Sequence, residues 1–264
     1  MTRKRLSKSA LLPTAALTIS LLASPVAAQQ DVASVISQAR AFNGTGDYTA
    51  AIALIRPALQ GSPDNYDLLC VLADNITEKA RIESVTATKD ESEAAYMEAV
   101  GFARRALEVR RDDAEGWYQL GKALGRLALF RGGKEKVNMS KEIKEVFEHA
   151  IQLDSRHASA IHGLARWNRE VANLSFVLKA AAKIVFGGLP PASNEQAETL
   201  FLRAIQIEPE NCAHFLELGK TYLEMRDKDQ AAEMFDTVLR LPVSDPDDPE
   251  WKAEAEELLS KIRK

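Results

Sequence analysis

The sequence predicts an all-α solenoid: about five helix pairs stacked side by side, ended by a C-terminal capping helix. Three observations carry this. Trp117, Leu120, Gly121 and Leu124 fall at the spacing W-x2-L-G-x2-L, and the pattern returns as Phe215, Leu218, Gly219 and Tyr222. Alanines recur at helical spacing, with a bulky residue between them in Ala51/Ile55/Ala58 and Ala197/Phe201/Ala204 and alone in Ala99/Ala103/Ala106, which lets neighbouring helices approach closely. Breakers then close the pattern, Pro63 and Pro209 each standing just past a helix end. A helix pair of this kind cannot bury its own apolar face and must stack on another.

The first of these spacings is the signature of the tetratricopeptide repeat, and the chain resembles proteins built from it. Residues 29–264 read as one domain of such units, at about 32–65, 66–113, 114–157, 158–211 and 212–245, with a cap over 249–263. The first unit carries Tyr48, Ala51 and Ile55 in its second helix. The second is long, its excess falling in the polar stretch Glu83 to Glu93. The third has the fullest first helix, and a second marked by Ile143, Phe147 and Ala150. Gly132-Gly133-Lys134 between them is expected to be a helix-ending turn, since it lacks the flanking spacing and the hydroxyl of a phosphate loop. The fourth unit holds an insertion around Phe186 to Pro191, and the fifth carries Ala231, Phe235 and Val238. Asp248 reads as the N-cap and Pro249 as the first residue of the terminal helix.

At the other end, Arg3, Lys4, Arg5 and Lys8 precede an apolar run from Ala10 to Ala23 and the small-residue site Ser24 to Ala28. Residues 1–28 therefore read as a signal peptide, and the chain as exported, to a bacterial periplasm or secreted. Without those four cations, 30 basic residues face 38 acidic ones, a net charge near −8. That argues against nucleic acid as a partner, which needs a positive field. Cys70 and Cys212 read as two isolated buried thiols.

Two segments go beyond the generic repeat. ALGRLALFRGGKEKV over 123–137 and GLARWNREVANLS over 163–175 resemble the tetratricopeptide domain of the regulator of microtubule dynamics family, the likeness running from about Ala114 to the C-terminus. The resemblance implies a helical repeat domain, often membrane- or organelle-associated in eukaryotes, with an adaptor or tethering role. The microtubule role is not carried over, because an exported chain would not meet microtubules.

No catalytic constellation, cofactor motif or metal-ligand spacing is expected. His157 and His162 are five apart, which does not place two ligands on one helix face. The first helices of stacked pairs line a concave face, and their residues three to four apart share one stripe. That stripe reads Arg40 and Asn43, then Cys70 and Asp74, then Tyr118, Lys122 and Arg126, then His162, Arg166 and Arg169, and last Lys220. A cationic groove on an acidic chain suits a carboxylate or phosphate. The expected function is thus non-catalytic binding of an acidic peptide or protein segment at Tyr118, Lys122, Arg126, His162, Arg166, Arg169 and Lys220. The alternative is an anionic lipid or other amphipathic ligand, held by the groove and the apolar helix 174–189. In that helix Leu174, Val177, Leu178, Ala181 and Val185 form one apolar face, expected to pack as extra core.

Overall fold

The structure, a computed structural model, describes residues 25–264. Of the expected leader, residues 1–24 lie outside the described residues, and Pro25 to Ala28 belong to the first helix. Among the described residues there are twelve helices and no strand. They pair as α1 (Pro25–Asn43) with α2 (Tyr48–Gly61), α3 (Tyr66–Glu83) with α4 (Lys89–Val109), and α5 (Ala114–Arg131) with α6 (Gly133–Leu153). Next α7 (Ala158–Ala172) pairs with α9 (Asn194–Ile207), the short α8 (Phe176–Phe186) lying between them in sequence and touching α6. Then α10 (Cys212–Glu224) pairs with α11 (Lys228–Arg240), and α12 (Asp248–Ile262) caps the stack.

Local chemistry explains the helix starts. Asp47, Asn65, Asp113, Ser193, Asn211 and Asp227 each accept a hydrogen bond from a backbone N–H of the first turn. Thr88 and Glu91 form a reciprocal capping box on α4. Gly132 and Gly133 turn the chain between α5 and α6 at φ +63° and +48°, values open to glycine and costly for other residues. At α12 the expected cap is displaced by one residue. Asp247 occupies the cap position, while the buried Asp248 carboxylate reaches back to the N–H groups of Ser244 and Asp245 at 2.7 and 2.9 Å.

The signature glycine has a packing cause. A Cβ at Gly121 would stand 2.6 Å from Cε1 of Phe147, and one at Gly219 would stand 2.5 Å from Cε1 of Phe235. Gly163 of α7 meets the same edge of the Phe147 ring, where a Cβ would overlap Cε1 and Cζ. The third and fifth units thus seat the aromatic ring of their second helix on bare backbone of a first helix. Phe201 and Phe235 are completely buried, and buried side chains run on from α1 to α12.

The stack curves until its ends meet. Arg81 of α3 donates from Nη2 to Asp247 at 2.5 Å and from Nη1 to Glu250 at 3.0 Å, while its Nε donates to Glu78 at 2.7 Å. Pro246 lies against Gly46 in the turn between α1 and α2. The loop leading into α12 therefore closes the concave side against the first two pairs.

Candidate functional site: a groove rimmed by both ends of the stack

This closure leaves a cavity of about 430 Å³ on the inner face. Its wall comes from the turn between α1 and α2, from α3, α5, α6 and α7, from the start of α10, and from the segment 244–251. Leu129, Ile143, Phe147, Trp167 and Val171 supply apolar surface. Trp167 is buried and donates from Nε1 to the Ser140 carbonyl at 2.8 Å, so it belongs to core and wall at once.

Of the residues expected to bind, Tyr118, Lys122, Arg126, His162 and Arg166 line the cavity; Arg169 and Lys220 do not. Arg169 is buried behind the wall, donating from Nη2 to the Glu217 carboxylate at 2.5 Å and from Nη1 to the Glu217 carbonyl at 3.1 Å. Lys220 bridges Glu217 at 3.2 Å and Glu254 at 2.6 Å. Glu217 thus anchors three cations, since Arg166 Nε also stands 3.4 Å from it. Burial would raise its carboxyl, but Arg166, Arg169 and Lys220 hold it well below the ordinary value of 4.5. Of the other stripe positions, Asn43 and Asp74 line the cavity, whereas Arg40 is exposed elsewhere and Cys70 is buried in the core.

The face is also less uniformly basic than the stripe alone implies. Asp74, Glu78, Glu170, Asp245 and Asp247 share the lining. Lys122 is engaged by Asp74 at 2.5 Å and by Glu78 at 2.8 Å. Burial works against its charge, yet Asp74 and Glu78 hold the ammonium well above the ordinary lysine value. Lys136 is paired with Glu170. Burial pushes the neighbouring Tyr118 hydroxyl up to about 12.

Arg126 stands apart. Among the described residues it makes no ion pair within 4.0 Å and no hydrogen bond, though it is half-buried in the wall. Burial first, and then the Arg166 charge, push its guanidinium below the ordinary value of 12.5. Two guanidinium groups thus face one cavity: Arg126 feels the Glu78 carboxylate without pairing to it within 4.0 Å, and Arg166 meets Glu217 through Nε. Ser140 Oγ and Asn43 Oδ1 in the same wall are buried and lack hydrogen-bond partners. His162 completes the wall, its Nδ1 lying 2.8 Å from Nδ1 of His214. Burial and then His214 push His162 well below 6.5, so it is neutral.

Sequence reasoning missed Glu78, Ser140 and the segment 244–251. Glu78 had a signal, standing one helical turn beyond Asp74 on the same stripe. The 244–251 segment had none, because only the curvature of the whole stack brings it there.

An all-helical repeat solenoid with a polar and apolar inner cavity is the architecture of a tetratricopeptide-type repeat protein. The family model for regulator of microtubule dynamics protein 1-3 matches residues 35–263, and the chain belongs to that family. The match extends well N-terminal of Ala114, where the resemblance in sequence begins. Regulator of microtubule dynamics protein 1 of Bos taurus is 31% identical over 199 residues, covering 74% of this chain and 62% of that protein. The Homo sapiens protein is 31% identical over 176 residues, covering 66% of this chain and 55% of its own length. The chain thus spans little more than half the length of these relatives. Among solved structures, a thermophilic TPR protein of Thermus thermophilus superposes with a TM-score of 0.61 at 16% identity, covering 88% of this chain and 99% of that one. PilF of Pseudomonas aeruginosa gives a TM-score of 0.51 at 13% identity, covering 89% and 90%. Both likenesses concern the fold.

These relatives overturn one expectation. The curated proteins are eukaryotic regulators of microtubule dynamics, which are neither periplasmic nor secreted, so the exported location is withdrawn. With it goes the reason for setting the microtubule role aside. No helix among the described residues is long and apolar enough to cross a membrane.

Proposed function

We propose that the chain is a non-catalytic adaptor whose groove holds the anionic end of a partner segment between Arg126 and Arg166. The observation that supports this is Arg126, a half-buried cation without an ion pair of its own among the described residues. Arginine grips a carboxylate through two parallel N–H donors, and a low-dielectric wall strengthens that contact. A cavity of about 430 Å³ suits a chain end or a compact acidic group rather than a long peptide. A second reading, an amphipathic molecule with an anionic head, draws on the apolar wall formed by Leu129, Phe147, Trp167 and Val171.

The test is calorimetric titration with peptides ending in acidic residues, free and C-terminally amidated, beside native mass spectrometry of the isolated protein. Free peptides should bind and amidated ones should bind several-fold more weakly. The double reversal Arg126→Glu/Arg166→Glu should abolish both interactions. Equal binding by that variant would end the groove reading and leave the fold untouched. A co-purifying mass of lipid size would shift the reading to the amphipathic ligand. Because the relatives are named for microtubule regulation, polymerised tubulin belongs among the probes, with the same variant as control.

A further inference from the structure

We propose that α8 is a membrane-surface docking helix that lies flat on a bilayer carrying anionic lipid. Helical spacing puts Phe176, Val177, Ala180 and Ile184 on one stripe. Phe176 is 85% exposed, Val177 73% and Ile184 84%. Leu178 and Ala182 lie on the opposite side, packed with the buried Leu174 against the core beside α6. The helix therefore has two apolar faces, of which the solenoid covers one. The expectation that its apolar residues are extra core holds for Leu174 and Leu178 and fails for Val177.

Charge decides the occupant. Between Glu170 and Glu195 the chain contains no acid, and its only charged residues there are Lys179 and Lys183. Both are exposed, and both follow one edge of the bare stripe. Lys179 rests its ammonium on the Ala172 carbonyl at 2.6 Å, and Lys183 has no ion-pair partner among the described residues. An apolar stripe with a lysine edge on an otherwise acidic chain matches the boundary between acyl chains and anionic headgroups. Phe176 and Ile184 would enter the acyl layer, and the lysine stems would reach the phosphates. The left-handed glycines Gly187 and Gly188, at φ +75° and +122°, end the helix before it can lengthen into a span. This surface is separate from the groove and does not depend on what the groove binds.

Sedimentation of the full chain with phosphatidylcholine vesicles, with and without phosphatidylserine, tests the proposal. Binding should require the anionic lipid. Phe176→Ser/Ile184→Ser should weaken it more than about tenfold, and Lys183→Glu about fivefold. These side chains are exposed, so circular dichroism and thermal unfolding should match the parent. Since residues 1–24 include a basic head and an apolar run, a local reporter is needed. An environment-sensitive dye on Val177→Cys serves, because burial pushes the native Cys70 and Cys212 thiols up to about 12 and about 11, leaving them unlabelled. Its emission should shift to the blue only with phosphatidylserine vesicles. Unchanged sedimentation of the serine variant, or a silent dye on sedimented protein, would overturn the proposal. So would a shift that follows protein concentration without lipid, which would make the stripe a self-association face. Arg126→Glu/Arg166→Glu should bind vesicles like the parent; loss there would move the anion contact into the groove.

Discussion

Arg126 shows how one residue can bear on stability and recognition in opposite directions. A half-buried cation facing Arg166 without an ion pair of its own costs folding energy, and sites kept for binding commonly carry such strain. Arg126→Met should therefore raise the unfolding free energy by about 1 kcal/mol in urea titration while abolishing peptide binding. Loss of both properties would make Arg126 structural. Glu217 is the opposite case, since Arg166, Arg169 and Lys220 all depend on it. Glu217→Ala should cost about 3–5 kcal/mol, because it strands buried cations. His162 brings a pH dependence. Its folded value lies well below 6.5, so below about 6.5 the unfolded chain takes up a proton that the folded chain refuses. Its contribution is complete above that value and falls as the pH drops, whereas His157, raised beside Glu115, works the other way. His162→Phe should flatten the fall of the denaturation midpoint between pH 7 and pH 5. Equal slopes would place the proton uptake on another group.

At the scale of the element, the signature glycine and its aromatic ring form one packing unit. Gly121→Ala or Gly219→Ala would drive a methyl into Phe147 or Phe235, at a cost of about 1–3 kcal/mol by thermal unfolding. Pairing Gly121→Ala with Phe147→Leu should recover part of that loss, and strict additivity would argue against the contact. Helix starts and pair spacing were legible because they are local: an Asn or Asp cap and an apolar period leave their mark within one turn. The same locality made Tyr118, Lys122, Arg126, His162 and Arg166 readable as one stripe. Arg169 was misread for want of one fact, that Glu217 of the next pair draws its guanidinium behind the wall. α8 was only half legible, because an apolar run says how much surface a helix offers and not which side a neighbour covers.

For the whole molecule, the join between Arg81 and the segment before α12 sets the shape. Helical repeats normally touch only their neighbours, and their ends open independently. Here Arg81 and Asp247 lie 166 positions apart in sequence and share a hydrogen bond. Arg81→Ala should release the terminal helix, seen as faster amide exchange over residues 248–262 with little change in α5 and α6. Unchanged exchange would mean that packing of α11 on α12 alone holds the cap. The join also bears on how anything reaches the interior. A ligand seated against Arg126 lies beside residues from both ends of the chain, in a cavity that stays open to solvent on one side. Parting Arg81 from Asp247 would widen that rim without unmaking the wall around Arg126 and Arg166. Arg81→Ala should therefore speed release more than it speeds entry, read as a shorter residence time at a nearly constant association rate.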